Sequence, residues 1–136
     1  MGTLLRAGRK APLETLPPLA DERFLLVFFK ISCPVCQMTL PYLNRVAGLK
    51  VYGVSQNDAE STREFVEAFG LTFEVLRDSE EQDFAASNAF GISHVPTLFL
   101  VSGGRIERVI EGWDKREMEA LGAVTAGDDV PAWKAG

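Results

Sequence analysis

The sequence is poor in the residues from which most metal and acid–base chemistry is built. Of 136 residues, two are cysteine and one is histidine. That set falls short of the four ligands of a closed zinc site within one chain. It is also too small for the disulfide framework of a secreted mini-domain. Long apolar runs are missing too. The stretch Phe24–Phe29 is six residues long, against the roughly twenty that span a bilayer, so no membrane insertion is expected. Met1–Leu19 carries Arg6, Arg9 and Lys10 but no continuous apolar segment, unlike a signal peptide. The expected setting is cytoplasmic as written, and periplasmic if a leader has been removed. There is no excess of positive charge either. Fourteen Lys and Arg stand against nineteen Asp and Glu, a net charge of −5 with both signs interspersed. Without a basic stripe to neutralise phosphates, nucleic acid is excluded as an expected partner.

What is present suits one globular domain. Hydrophobic residues make up 46% and charged residues 24%, an ordinary balance for a soluble fold with one core. The expected domain covers residues 1–126, with an irregular, proline-bearing extension over 1–22 that holds at most one short edge strand, and a loosely held tail over 127–136. Phe24–Lys30 reads as a strand buried on both faces. A helix follows it, carrying Met38, Leu40, Leu43, Val46 and Ala47, with Pro41 inside and Gly48 at its end. Val51–Val54 is a second strand. Ser61 and Glu64 have capping-box spacing for a helix that stops at Gly70. Phe73–Leu76 is a third strand, and residues 80–90 form a helix ended by Gly91. Thr97–Ser102 turns through Gly103-Gly104 into Arg105–Glu111, and Asp114 caps a last helix with Met118, Leu121 and Val124. This alternation predicts an α/β fold of three layers: a mixed central sheet, parallel in its core with a hairpin at one edge, flanked by helices. The phenylalanines at 24, 28, 29, 65, 69, 84, 90 and 99 are expected in the core, and Trp113 near the final hairpin.

The two cysteines stand as Cys33-Pro34-Val35-Cys36, between the first strand and the helix that follows. A thiol at a helix N-terminus faces unpaired N–H groups and the positive end of the helix dipole, which favour the thiolate. Residues three apart on a helix share a face, so the two sulfurs are placed to close a disulfide. Cys33 is therefore the expected nucleophile and Cys36 the resolving thiol. Two further residues are candidate modulators. Lys30 lies three residues before Cys33. His94, the lone histidine, precedes Pro96 by two residues.

Gly91-Ile92-Ser93-His94-Val95-Pro96-Thr97, leading into an apolar strand, makes the chain resemble the thioredoxin superfamily over roughly residues 10–126. Pro96 matches the cis-proline that packs beside the dithiol, Pro41 matches the proline of the active-site helix, and Gly112 a glycine of the last strand. The segment from Val54 to Asp78, and Ala11-Pro12 ahead of it, resemble the TlpA/ResA-like redoxin branch. The resemblance implies a thiol–disulfide oxidoreductase needing no cofactor and no metal. Its substrate would be a protein or small-molecule disulfide and its electron donor a dithiol or reductase, and the chain would act as a monomer. Val95, Pro96, Pro34 and Val35 would shape the substrate groove. The pattern departs from the superfamily at Ser32, where tryptophan is usual, and at Val27, where a buried aspartate is usual. Lys30 stands where a peroxidatic site carries threonine. The alternative is a metal-delivery module resembling Sco-type copper chaperones, with Cys33, Cys36 and His94 as ligands.

Overall fold

The computed structural model describes residues 3–136, so the first two residues of the expected extension lie outside it. The apolar segment Arg23–Phe29 forms β1, with every residue after Arg23 buried. It is followed by α1 (Pro34–Leu43), β2 (Lys50–Ser55), α2 (Ala59–Phe69), β3 (Glu74–Arg77) and α3 (Ala85–Phe90). The hairpin β4 (Thr97–Ser102) and β5 (Arg105–Glu111) comes next, then β6 (Trp113–Asp114), α4 (Lys115–Ala120) and β7 (Trp133–Lys134). The main sheet has the order β3-β2-β1-β4-β5. β1, β2 and β3 run parallel, and β4 runs antiparallel to β1, with Phe28 opposite Thr97 and Phe29 opposite Ser55. The fold is the expected three-layer α/β arrangement.

Alternation along β1 builds two cores. Leu25, Val27 and Phe29 pack with Cys36, Leu40 and Leu43 of α1, Phe65 of α2 and Met118 of α4. Phe24, Leu26 and Phe28 pack with Ala86 and Phe90 of α3 and with Ala11 and Leu16 of the N-terminal segment. A strand buried on both sides must be apolar at every position, which is why β1 lacks polar alternation.

Several local expectations are corrected. The segment before β1 makes a short 3-10 turn, Leu13–Thr15, and a single bridge from Lys10 to Arg105, not an edge strand. α1 stops at Leu43, and the chain continues to Val46 through tighter i−3 bonds, because Asn44 turns away to bind Gly70 and Thr72. The N-terminus of α2 is capped by Asp58, whose Oδ1 accepts from Ser61 N at 2.8 Å, so Ser61 is not the cap. Residues 80–90 do not form one helix. Asp83 and Phe84 adopt left-handed backbone conformations between a 3-10 turn and α3. α4 ends at Ala120, short of Val124. The tail is not loosely appended: β7 pairs antiparallel with β6, Trp113 opposite Lys134. Phe69 and Phe84 are half-buried, while the other phenylalanines named above are in the core.

Candidate active site

The topology collects the informative residues at one edge of the sheet. The carboxyl ends of three parallel strands and the start of the antiparallel β4 meet there, the usual place for sites in α/β folds. Cys33 follows β1, Gln56 and Asn57 follow β2, Asp78 follows β3, and Pro96 precedes β4.

Cys33 is the N-cap of α1. Its backbone is extended, Pro34 occupies the first helical turn, and its sulfur accepts the Cys36 N–H at 3.2 Å. Proline suits this position because the N–H it lacks would have had no helical partner. The cap thus aims a backbone donor at the Cys33 sulfur. Cys33 Sγ also lies 3.5 Å from the Val95 carbonyl oxygen, to which its thiol donates. Cys33 is half-buried, Cys36 is buried, and both are free thiols. Burial, reinforced by its neighbour Cys33, pushes the Cys36 thiol well above the ordinary thiol range, against the smaller opposing effects of the Lys30 backbone and, least of all, the Lys30 charge.

The surrounding loops are braced by side chains. Asn57 Oδ1 accepts from Ile31 N at 2.9 Å, and Gln37 Nε2 donates to Ile31 O at 2.9 Å. Both bonds hold the turn between β1 and Cys33. The Val95–Pro96 peptide bond is cis, as the motif predicted. Thr97 Oγ1 closes this turn on His94 O at 2.7 Å, and Gly112 N ties it to the next strand through Pro96 O at 2.8 Å. Pro34 is exposed, Val35 half-buried and Pro96 buried; of the expected groove residues, Val95 is the one whose carbonyl meets the Cys33 sulfur.

Lys30 and His94 both line an adjacent cavity of about 340 Å³, together with Gln56, Asn57, Ser87 and Val95. The copper set is not assembled: among the described residues, Cys33, Cys36 and His94 form no group placed to hold a metal ion. His94 Nδ1 instead pairs with Ser93 Oγ at 3.0 Å.

Sequence reasoning missed Asn57, Gln56 and Asp78 as architects of this edge. Asp78 is 1% exposed. Its carboxylate accepts from Ala86 N at 3.1 Å and Ser87 N at 2.6 Å, capping α3 from a distance. The available signal was position, since each of these polar residues comes just after a strand.

The AhpC/TSA family model matches residues 6–109. The chain belongs to the AhpC/TSA family. Among curated relatives, the thiol-disulfide oxidoreductase ResA of Geobacillus thermodenitrificans is 29% identical over 100 residues, covering 68% of this chain and 56% of that protein. The chain spans 56% and 62% of the length of the first two such relatives. The thioredoxin domain of a Bacteroides vulgatus thiol-disulfide oxidoreductase superposes with a TM-score of 0.69 at 18% identity, covering 86% of this chain and 99% of that one. A secreted Mycobacterium tuberculosis disulfide oxidoreductase gives 0.63 at 19% identity, covering 75% and 81%. At these identities the two structures establish that this AhpC/TSA chain has the thioredoxin-like fold.

Proposed function

We propose that the protein is a thiol–disulfide oxidoreductase working through Cys33 and Cys36. One observation carries this reading: a capping thiol and a buried thiol one turn inside, facing the Val95–Pro96 turn across 3.5 Å. Kinship with ResA supports it. Cys33 thiolate attacks one sulfur of a substrate disulfide, forms a mixed disulfide and releases the first thiolate. Cys36, after losing its proton, attacks the Cys33 sulfur and releases the second. Two electrons pass from the dithiol to the substrate, and an external dithiol or reductase restores the pair. Val95, Pro34 and Val35 border the mixed disulfide, and Pro96 fixes the turn that presents Val95. The elevated Cys36 thiol makes its deprotonation the demanding step and protects the reduced pair from premature closure.

The test is an equilibrium titration of the chain in dithiothreitol and glutathione buffers, read by alkylation and intact mass. A single reversible two-electron transition is expected, lost in Cys33→Ser. A potential toward −270 mV assigns a reductant, and one toward −120 mV an oxidant. Cysteines that oxidise independently would overturn the reading.

A further inference from the structure

The two flanks of Cys33 differ in what can approach them. On one flank the chain covers itself. Lys115 N bonds Ala132 O at 2.9 Å and Trp113 Nε1 bonds Pro131 O at 2.6 Å, while Lys115 Nζ holds the carbonyls of Ala126 and Asp128 at 3.2 and 3.0 Å. The segment so anchored crosses Gly112, where an added methyl group would strike Lys134 O. It then reaches Val95. A methyl group added at Gly136 would collide with the Val95 carbonyl and come within 3.3 Å of Pro96 N. That carbonyl is the group facing Cys33 Sγ. The backbone beside which an extended polypeptide substrate would lie is already taken.

The other flank is open. The cavity of about 340 Å³ starts at Val95 and is lined by Lys30, Gln56, Asn57, Asn88 and His94 among others. Its size is at the low end for small-ligand sites. It presents amides, hydroxyls and one permanent cation, and none of its lining residues is acidic. Asp58, Glu80 and Glu81 line the next cavity along, beyond Gln56, Asn57 and Phe84. The lysine thus lines the cavity that Val95 also lines, and the carboxylates line the one next to it.

We propose that the substrate is a small disulfide bearing a carboxylate, seated in the cavity at Lys30, while residues 131–136 shut extended polypeptides out of the opposite flank. This rests on the thiol–disulfide oxidoreductase reading and narrows its substrate. The lysine ammonium donates to the ligand carboxylate while Cys33 attacks the neighbouring sulfur. The remote acidic cluster suits a ligand whose far end carries an ammonium group, as in disulfides of small peptide thiols. The exchange is the two-step transfer above: the dithiol is oxidised, the small disulfide yields two thiolates, and solvent protonates them.

The pre-reduced full chain is mixed with oxidised glutathione, with the uncharged bis(2-hydroxyethyl) disulfide, and with disulfide-bonded insulin, and thiol loss is followed by intact mass. Oxidised glutathione should react about tenfold faster than the uncharged disulfide, and Lys30→Met should abolish that ratio. Insulin should be the slowest, and Gly136→Val, which forces the tail off Val95, should raise its rate several-fold relative to oxidised glutathione. Equal rates for the two small disulfides, a ratio untouched by Lys30→Met, or insulin reacting as fast as oxidised glutathione in the unaltered chain would each overturn the proposal alone. Reduction of none of the three disulfides would overturn the oxidoreductase reading, and this proposal with it.

Discussion

Two helix N-termini lie on the same edge of the sheet and are finished in opposite ways. α1 is capped by Cys33, its own preceding residue, whose sulfur accepts the Cys36 N–H. α3 is preceded by Phe84, which makes no side-chain cap, and its free N–H groups are satisfied by Asp78, eight and nine residues earlier. A local cap leaves its side chain at the surface, able to let go of the helix and react. A remote cap is buried between strand and helix, and its whole role is to hold them together. Under the proposed function the first arrangement makes a reagent, while the second makes a joint.

The largest effect should come from breaking the joint. Asp78→Ala leaves two buried N–H groups without partners and should cost on the order of 3 kcal/mol. Cys33→Ala removes a local cap and the long thiol contact to Val95 O, and should cost about 1 kcal/mol or less. Urea unfolding of both reduced variants measures the difference, and equal losses would erase the distinction.

A second test separates the two thiols within α1. Folded Cys36 keeps its proton because burial disfavours the thiolate, whereas in the unfolded chain it ionises near pH 8.5. Its contribution to stability is therefore complete below about pH 8.5 and is lost as pH rises beyond it, by at most about 1.4 kcal/mol per pH unit. Reduced protein should show urea midpoints falling between pH 8 and pH 10, and Cys36→Ala should flatten that decline.

The smallest effect is one of order. At pH 7.5, limiting iodoacetamide should add one label to the native chain, found by peptide mapping on half-buried Cys33, with Cys36 labelled only after urea is added. Initial labelling of Cys36 would contradict the division of roles.

The same contrast explains what was legible in the sequence. Local signals carried well. The uninterrupted apolar run of β1, the Cys33-to-Cys36 spacing, the Gly103-Gly104 turn and the proline before β4 each depend on near neighbours, and each appears where expected. Asp114 also caps α4 as read, through Arg116 N and Glu117 N. Long-range signals did not carry. Residues 80–90 have helical composition, but the carboxylate of Asp78 draws the N–H groups of Ala86 and Ser87 toward it, and the backbone accommodates this at Asp83 and Phe84. Polar residues at 127–136 resemble a free tail until the antiparallel pairing of β7 with β6 is known. Of the site, the dithiol and the cis-proline turn were visible. The bracing by Asn57 and the cavity that Lys30 and His94 both line required the fold.

The two tryptophans give this arrangement an optical signature. Trp113 is fully buried against Tyr42, its indole N–H held by the Pro131 carbonyl, whereas Trp133 is 61% exposed. One indole therefore emits from a dry, hydrogen-bonded setting and the other from water, and the link between them is the tail. Release of residues 131–136 takes away the acceptor of the buried indole while leaving the exposed one in solvent. The emission spectrum of the native protein thus carries a record of whether the flank beside Cys33 is shut or open, with no dye attached.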